Sequence, residues 1–325
     1  MSEISNQPYY KLDPALILNA IESVGYRCSG SLSALNSFEN RVYQVGIEDE
    51  EALIAKFYRP NRWSDLAIIE EHQFSAELFS HEIPVIAPLV AENGQSLHSF
   101  EDFRFALFPR KGGRTLELDN LEQLEWMGRF IGRLHAVGAT RNFQHRIHLD
   151  IDTYGHLPYK FLQENNFIPV ELAAEFHATI EELLKKSREI INQVGTVNYL
   201  RLHGDCHAGN VLWHDGGPQI VDLDDCLMGP AIQDLWMLLG ATSQDTELYL
   251  QSILRGYRSF YDFDRREIKL IEVLRSLRML HYCAWLARRW EDPAFPINFP
   301  WFNTRPYWLD QLKDFKNQVA VLETV

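Results

Sequence analysis

Leu202-His203-Gly204-Asp205-Cys206-His207-Ala208-Gly209-Asn210-Val211-Leu212-Trp213, with Ile220-Val221-Asp222-Leu223-Asp224-Asp225 downstream, decides how the whole chain is read. The stretch sets carboxylates and a carboxamide on a short loop between apolar, strand-like runs. A loop aspartate accepts a hydrogen bond, and then a proton, from a substrate hydroxyl, while an asparagine five residues on turns its carbonyl oxygen toward Mg²⁺. Asp205 and Asn210 have that spacing. Asp222 closes the apolar run Gln219-Ile220-Val221, where a strand would deliver a second metal ligand beside the loop. Mg²⁺ favours such hard oxygen donors. Turn and cap chemistry accounts for single members of the set. It does not account for His203, Gly204, Asp205, His207 and Asn210 together with a following aspartate. The layout is that of a phosphoryl-transfer site.

Working outward, the 325 residues are 46% hydrophobic and 12% aromatic, enough for a large core and two lobes. A formal charge of −14 disfavours a nucleic-acid groove or an anionic membrane surface, both of which require clustered Lys and Arg. The start, Met1-Ser2-Glu3-Ile4-Ser5-Asn6-Gln7-Pro8, lacks a basic segment followed by an apolar core, and no uncharged apolar run approaches the roughly 20 residues that span a bilayer. A cytoplasmic protein is expected. Cys28, Cys206, Cys226 and Cys283 are widely spaced without a C-x-x-C pair, which reads as reduced thiols.

Asp13-Pro14 starts a helix that Gly25 stops. Residues from about 30 to 58 alternate as strands, which puts Lys56 near a strand end, and Ser64-Asp65 caps a helix carrying Leu66, Ile69, Phe74 and Leu78. Val85 to Val90 and Phe103 to Phe108 complete a five-stranded lobe. Proline and paired glycines in Phe108-Pro109-Arg110-Lys111-Gly112-Gly113 mark the hinge. Beyond it the pattern is largely helical, with apolar stripes from Leu121 to Val137 and from about Val170 to Ile191, and helices from Pro230 onward. The expected class is α+β: a bilobal molecule with a small N-terminal antiparallel sheet lobe and a larger, mainly helical lobe. The boundaries fall at 1–108 for the nucleotide-binding lobe, 109–113 for the hinge and 114–325 for the catalytic and substrate lobe.

The pattern His203-Gly204-Asp205-x-His207-x-x-Asn210 with the downstream Ile220-Val221-Asp222 resembles the aminoglycoside phosphotransferase and choline kinase superfamily, whose fold is protein-kinase-like. The segments Asn36 to Gln44, Ala55 to Pro60, Glu70 to Phe74 and Trp285 to Trp301 are similar to the bacterial stress response kinase A family. The resemblance covers nearly the whole chain. It implies a cytoplasmic, monomeric Ser/Thr protein kinase that uses ATP and Mg²⁺ in a stress response. In kinase-like folds a strand lysine bridges the α- and β-phosphates and is held by a helix glutamate, which gives Lys56 that role, with Glu71 as partner and Glu70 as runner-up. Asp234 resembles the aspartate that braces the catalytic loop through backbone N–H groups. The phosphate-covering loop departs from protein kinases, since Leu35-Asn36-Ser37-Phe38-Glu39-Asn40-Arg41 has no glycine. Ser37 and the Asn40 amide are the expected phosphate donors there, and hinge backbone around Phe108 to Arg110 the adenine contact.

His203, Asp205 and His207 with Cys206 and Cys226 also raise a transition-metal hydrolase, but no second ligand cluster accompanies them and Asn210 would have no role. Only six residues separate Asp222 from Gly229-Pro230, too few for the activation segment on which protein kinases seat a peptide. That shortness favours a small alcohol as acceptor, in the manner of aminoglycoside, choline or homoserine kinases, whereas the family resemblance implies a protein hydroxyl. Arg288 and Arg289, within the aromatic segment from Trp285 to Trp301, are the expected docking cations for such a protein.

Overall fold

The computed structural model describes residues 8–240 and 245–325. The stretch read from Met1 lies, up to Gln7, outside the described residues.

Helix α1 (Pro14–Glu22) begins where Asp13 Oδ1 accepts the Leu16 N–H at 2.8 Å and a proline occupies the first turn. Its buried face, Leu16, Ile17, Ala20 and Ile21, closes one side of an antiparallel sheet. The sheet comprises β1 (Cys28–Ala34), β2 (Arg41–Ile47), β3 (Leu53–Phe57), β4 (His98–Phe100) and β5 (Phe103–Pro109) in the order β1-β2-β3-β5-β4. Between β3 and β4 runs α2 (Asp65–Ser80), capped by Ser64 Oγ on the Ala67 N–H. Lys56 lies on the central strand, opposite Val42 on β2 and Ala106 on β5. Neighbours on both sides fix its backbone, so only its side chain is free to serve the site.

Two expectations need correction. Val85 to Val90 is not a strand of this sheet. Pro84 and Pro88 remove N–H donors that a ladder requires, and the segment crosses instead toward the second part of the chain, with Ile86 N–H donating to Ile220 O at 3.3 Å. The fifth strand is the short, polar β4. On α2 the buried face is Ala67, Ile68, Glu71, His72, Phe74, Ser75 and Leu78, while Leu66 is 55% exposed. Apolar periodicity misplaced this face because several of its inward positions are polar.

The chain continues through β6 (Arg114–Thr115), α3 (Leu121–Gly138), α4 (Leu157–Glu164), α5 (Val170–Val194), β7 (Tyr199–Leu202), β8 (Val211–His214), β9 (Gly217–Ile220), β10 (Leu227–Pro230) and α6 (Ile232–Trp236). Then follow α7 (Thr246–Tyr257), α8 (Ile271–Arg288), α9 (Ala294–Asn298) and α10 (Arg305–Leu322). The chain is thus an N-terminal antiparallel sheet followed by a mainly helical part, and the main hydrophobic core lies among these helices. None of the described helices is long and apolar enough to cross a membrane.

The closest helix pair, α3 against α7, meets backbone to backbone. A Cβ on Gly128 would stand 2.0 Å from Ile253 O, one on Gly132 2.6 Å from Tyr257 O, and one on Gly256 2.0 Å from Glu125 O. The obstacles are main-chain atoms, which cannot rotate aside. Gly128→Ala and Gly256→Ala should therefore each destabilise by about 1–3 kcal/mol, more than offsetting the helix-propensity gain of about 1 kcal/mol. Gly216→Ala, which meets nothing within 4 Å, should leave the midpoint of guanidinium unfolding almost unmoved. Equal midpoints for all three variants would contradict this packing.

Candidate active site

β7 delivers the chain to the loop of residues 203–210, and a buried carboxylate fixes how that loop begins. Asp234, on α6, accepts the N–H of His203 and of Gly204, each at 2.8 Å, and meets His135 Nε2 at 3.1 Å. Gly204 has φ +85°, and a Cβ there would lie 2.2 Å from Asp225 O. Glycine is required at this position on both counts. His203 is fully buried, with Nδ1 accepting from the Asp205 N–H at 3.3 Å and Nε2 donating to Val221 O at 2.8 Å. The histidine is thus a bracket between the two motif halves, not a base. Asn210 repeats the device: its side-chain N–H₂ donates to Asp205 O at 3.0 Å and its backbone carbonyl accepts from Val221 N–H at 3.0 Å. Among the described residues, the side-chain carbonyl oxygen of Asn210 accepts no hydrogen bond.

His207 Nδ1 accepts from the Gly209 N–H at 2.9 Å, so Nε2 carries the proton and points it at Asp205 Oδ2, 3.4 Å away. Asp205 Oδ1 lies 2.8 Å from Arg278 Nη2. Burial alone would raise the Asp205 carboxyl, but His207, Arg278 and His203 outweigh it and hold the group well below the ordinary carboxylate range.

Lys56, on β3, meets the segment that follows β9. Its Nζ is 3.4 Å from Glu71 Oε1, 3.1 Å from Asp222 Oδ1 and 3.1 Å from Asp224 Oδ1. Burial lowers the ammonium, but the carboxylates of Asp222, Asp224 and Glu71 prevail and raise it well above its usual value. Glu71 is therefore the glutamate that reaches the lysine. Glu70 turns away and accepts the backbone N–H groups of Gln144 and His145 at 2.6 and 2.7 Å. Arg146, buried, bonds Glu71 Oε2 at 3.3 Å and the Asp224 carbonyl at 2.9 Å. Asp222 adopts a left-handed backbone (φ 60°, ψ 69°), and its side chain is 54% exposed, so one oxygen meets Lys56 while the other stays open. Asp224 is closed on all sides by Lys56, Arg62 and Asn40. Of the two aspartates, Asp222 has the oxygen to offer a cation.

The glycine-free loop is fastened by side chains. Ser37 Oγ donates to Asn40 O at 3.0 Å and accepts from Val42 N–H at 3.2 Å. The Asn40 amide, expected to face phosphate, is committed elsewhere: Nδ2 donates to Asp224 Oδ2 at 3.1 Å and Oδ1 accepts from the Arg59 N–H at 3.1 Å. Glu39 accepts from Trp285 Nε1 at 2.7 Å and pairs with Arg289, while Arg41 and Arg59 both pair with Asp292. Phe38 packs on Phe299 at 4.9 Å between ring centroids. Arg289 is thus a fastener of the loop, and Arg288 lies over the Phe161 ring. The pair with Glu39 corrects the reading of Arg289 as a docking cation, while Arg288 remains exposed. Among the described residues, the backbone N–H groups of Ser37, Phe38, Glu39 and Asn40 donate to no protein atom, which leaves a turn of free donors suited to phosphate oxygens.

Phe108 belongs to β5, paired with Ile54, and Arg110 just beyond it donates Nε–H to Gln44 Oε1 at 2.8 Å. Sequence reasoning missed Arg62, Arg146, Arg278 and Asp292, since nothing in local spacing marks partners so far apart in the chain. Among the described residues no group of three His, Cys, Asp or Glu could hold a metal, and His203 faces Val221 O and the Asp205 N–H, so the hydrolase cluster is not assembled. Cys206 is buried, and burial pushes its thiol well above the usual range, which fits an inert thiol. An open Asn210 carbonyl, an open Asp222 oxygen, Lys56 and the free N–H groups together fit a nucleoside triphosphate with a divalent cation.

A model described as the phosphotransferase enzyme family matches residues 31–271. "Stress response kinase A" of Escherichia coli O157:H7 is 47% identical over 97% of this chain and 95% of its own. "Serine/threonine protein kinase RdoA" of Salmonella typhimurium strain LT2 is 45% identical over 97% and 94%. The solved amicoumacin kinase hAmiN, in complex with AMP-PNP, Ca²⁺ and Ami, shares the fold with a TM-score of 0.73 at 22% identity, over 94% of this chain and 93% of that one.

Asp234→Asn replaces one acceptor oxygen with a donor that faces an N–H. The variant should lose about 1–3 kcal/mol of stability, and the amides of His203 and Gly204 should exchange with solvent much faster. Unchanged exchange at those amides would show that the loop is held by something else.

Proposed function

Because this chain belongs to the phosphotransferase enzyme family, and within it to the stress response kinase A proteins, we propose that it is a kinase transferring the γ-phosphoryl group of ATP, with Mg²⁺, to Ser or Thr hydroxyls of a protein substrate in a stress response. The observation that carries this reading is the meeting of three groups: Asp205 on its braced loop, the free carbonyl of Asn210 beside it, and Asp222 in contact with Lys56.

ATP with Mg²⁺, when bound, supplies the phosphoryl group and the positive charge that draws electrons from it. In this reading Lys56, kept charged by its acidic neighbours, holds the α- and β-phosphates. The free N–H groups from Ser37 to Asn40 take phosphate oxygens, and backbone of the strand end from Phe108 to Arg110 orients the base. Asn210 and Asp222 hold the metal. Asp205 would orient the acceptor hydroxyl and take its proton as that oxygen bonds the γ-phosphorus and ADP leaves. Asn40 and Glu71 act through others, Asn40 by fixing Asp224 and Glu71 by fixing Lys56.

The protein acceptor is supported by the relative called a serine/threonine protein kinase at 45% identity. A small alcohol remains the second reading, favoured by the short link from Asp222 to Gly229 and Pro230. We further infer a monomeric, cytoplasmic enzyme with 1–108 as nucleotide lobe, 109–113 as hinge and 114–325 as catalytic lobe; the cytosolic supply of ATP supports the location.

Asp205→Asn should bind nucleotide normally yet turn over roughly 10²- to 10⁴-fold more slowly, the usual worth of a general base. Radiolabelled γ-phosphate transfer to generic proteins and to a panel of alcohols measures this and names the acceptor class at once. Near wild-type turnover would sink the assignment. For the metal, calorimetry with and without Mg²⁺ should show weakened nucleotide binding in Asn210→Ala and a larger loss in Asp222→Ala, which removes a full charge. A metal dependence untouched in Asp222→Ala would place the ligand elsewhere.

A further inference from the structure

Asp205 already has a cation beside it where its proposed role puts the acceptor hydroxyl. Oδ1 is buried, stands 2.8 Å from Arg278 Nη2, and still receives no aligned hydrogen bond. Oδ2 faces the His207 N–H. A base must turn an oxygen toward the acceptor hydroxyl, and with His207 at Oδ2 and Arg278 at Oδ1 the guanidinium competes with that hydroxyl for its place.

Arg278 belongs to a wall. On α8, residues 278, 281, 282, 285 and 289 share one side at helical spacing. His281 stacks on Tyr154 at 4.3 Å and Tyr282 on Trp285 at 5.7 Å. Trp285 and Arg289 then reach Glu39 in the phosphate-covering loop. The helix therefore lines the path from Asp205 to that loop, where an acceptor would lie. Three other cations near this path have carboxylates of their own, Arg289 with Glu39, Arg62 with Asp224 and Asp225, and Arg275 with Glu272, and Arg288 is turned onto the Phe161 ring. Among the described residues, Arg278 pairs with Asp205 alone, and its side chain is 41% exposed.

Release of Asp205 leaves this guanidinium beside the acceptor without a counter-ion. An anionic group on the acceptor is the partner that completes the exchange. We infer that Arg278 is a specificity residue, which selects a Ser or Thr flanked by carboxylates on the substrate protein and gives up Asp205 as it binds them. The inference rests on the assignment of Asp205 as base. A long-range field does not supply the selection, because a net charge of −14 repels acidic partners. The contact itself must supply it, and a guanidinium binds carboxylate with the directional, charge-assisted hydrogen bonds that this requires.

The test compares the wild type with Arg278→Gln, Arg278→Lys and Arg288→Gln, the last being on the same helix but turned onto Phe161. Acceptors are matched peptides in which serine is flanked by Asp and Glu or by Asn and Gln, together with a small hydroxy acid and its amide. The readout is the ratio of kcat/KM for the acidic and the neutral member of each pair, with melting midpoints recorded for every variant. The wild type should favour the acidic peptide on the order of tenfold, the worth of one hydrogen bond between charged groups, mainly through KM. Arg278→Gln should bring the ratio toward one, Arg278→Lys should keep part of it, and Arg288→Gln should keep all of it. A ratio that persists in Arg278→Gln, or that falls equally in Arg288→Gln, overturns the inference. Selection confined to the hydroxy acid overturns the peptide acceptor. Wild-type turnover in Asp205→Asn would instead remove the reading of the base beneath it, so the two failures are distinguishable.

Discussion

The Lys56 ammonium, buried among Glu71, Asp222 and Asp224, is the contact on which the arrangement of the cleft depends. Removing an ion from water costs several kcal/mol even after the protein relaxes, and only close opposite charge recovers it. One of the acids comes from α2 on the lysine's own side of the molecule. The other two come from the segment after β9. The sheet half is therefore electrically incomplete until the helical half supplies its aspartates. The surplus of negative charge then needs Arg62 and Arg146, which close on Asp224 and Glu71. Arg146 also bonds the carbonyls of Leu223 and Asp224, so the same cation fixes the backbone just after Asp222. Charge balance and geometry are settled by one set of contacts.

The glycine-free loop of residues 35–41 shows a second way to shape such a turn. Protein kinases bring backbone close to phosphate with glycines, which leaves the loop mobile. Here Glu39, Asn40 and Arg41 tie the turn to Trp285, Arg289, Asp224 and Asp292. The backbone donors stay free because the side chains, rather than the N–H groups, hold the shape. The turn is therefore held by ion pairs to residues of the helical part, Arg289 and Asp292, as well as by the sheet.

Much of this could be read from residue order, and the boundary is instructive. The internal bonds of the loop follow from residue order, since Asn210 bonds the carbonyl of Asp205 and His203 that of Val221, partners near in the chain. The helical spans of α3 and α5 were visible from apolar stripes, and the capped starts of α1 and α2 from Asp13 and Ser64. The strand at β4 was hidden because His98-Ser99-Phe100 is too short to show a period of two, and the segment from Val85 to Val90 misled because its β-branched residues hide what Pro84 and Pro88 forbid. The side of α2 that faces the cleft was obscured by the buried Glu71, His72 and Ser75, which an apolar pattern counts as surface. The long-range pairs were out of reach altogether. Arg41 and Asp292 stand 251 positions apart, and no local pattern announces a partner at that distance. Arg289 was accordingly read as a free docking cation when its charge is already satisfied.

The glycine contact between α3 and α7 has a consequence for the order in which the nascent chain becomes structured. Strands β1 to β5 pair only with one another, so the sheet can close soon after Pro109 leaves the ribosome. Helix α3 follows directly, yet the surface that receives Gly128 and Gly132 is main chain of Ile253 and Tyr257, which is made more than a hundred residues later at a synthesis rate of about 5–20 residues per second. For several seconds at least, the apolar stripe of α3 waits uncovered beside a finished sheet whose Lys56 still lacks two of its acids. The burden on chaperones should fall within that interval, and a ribosome paused between codons 140 and 250 would hold the chain at its stickiest.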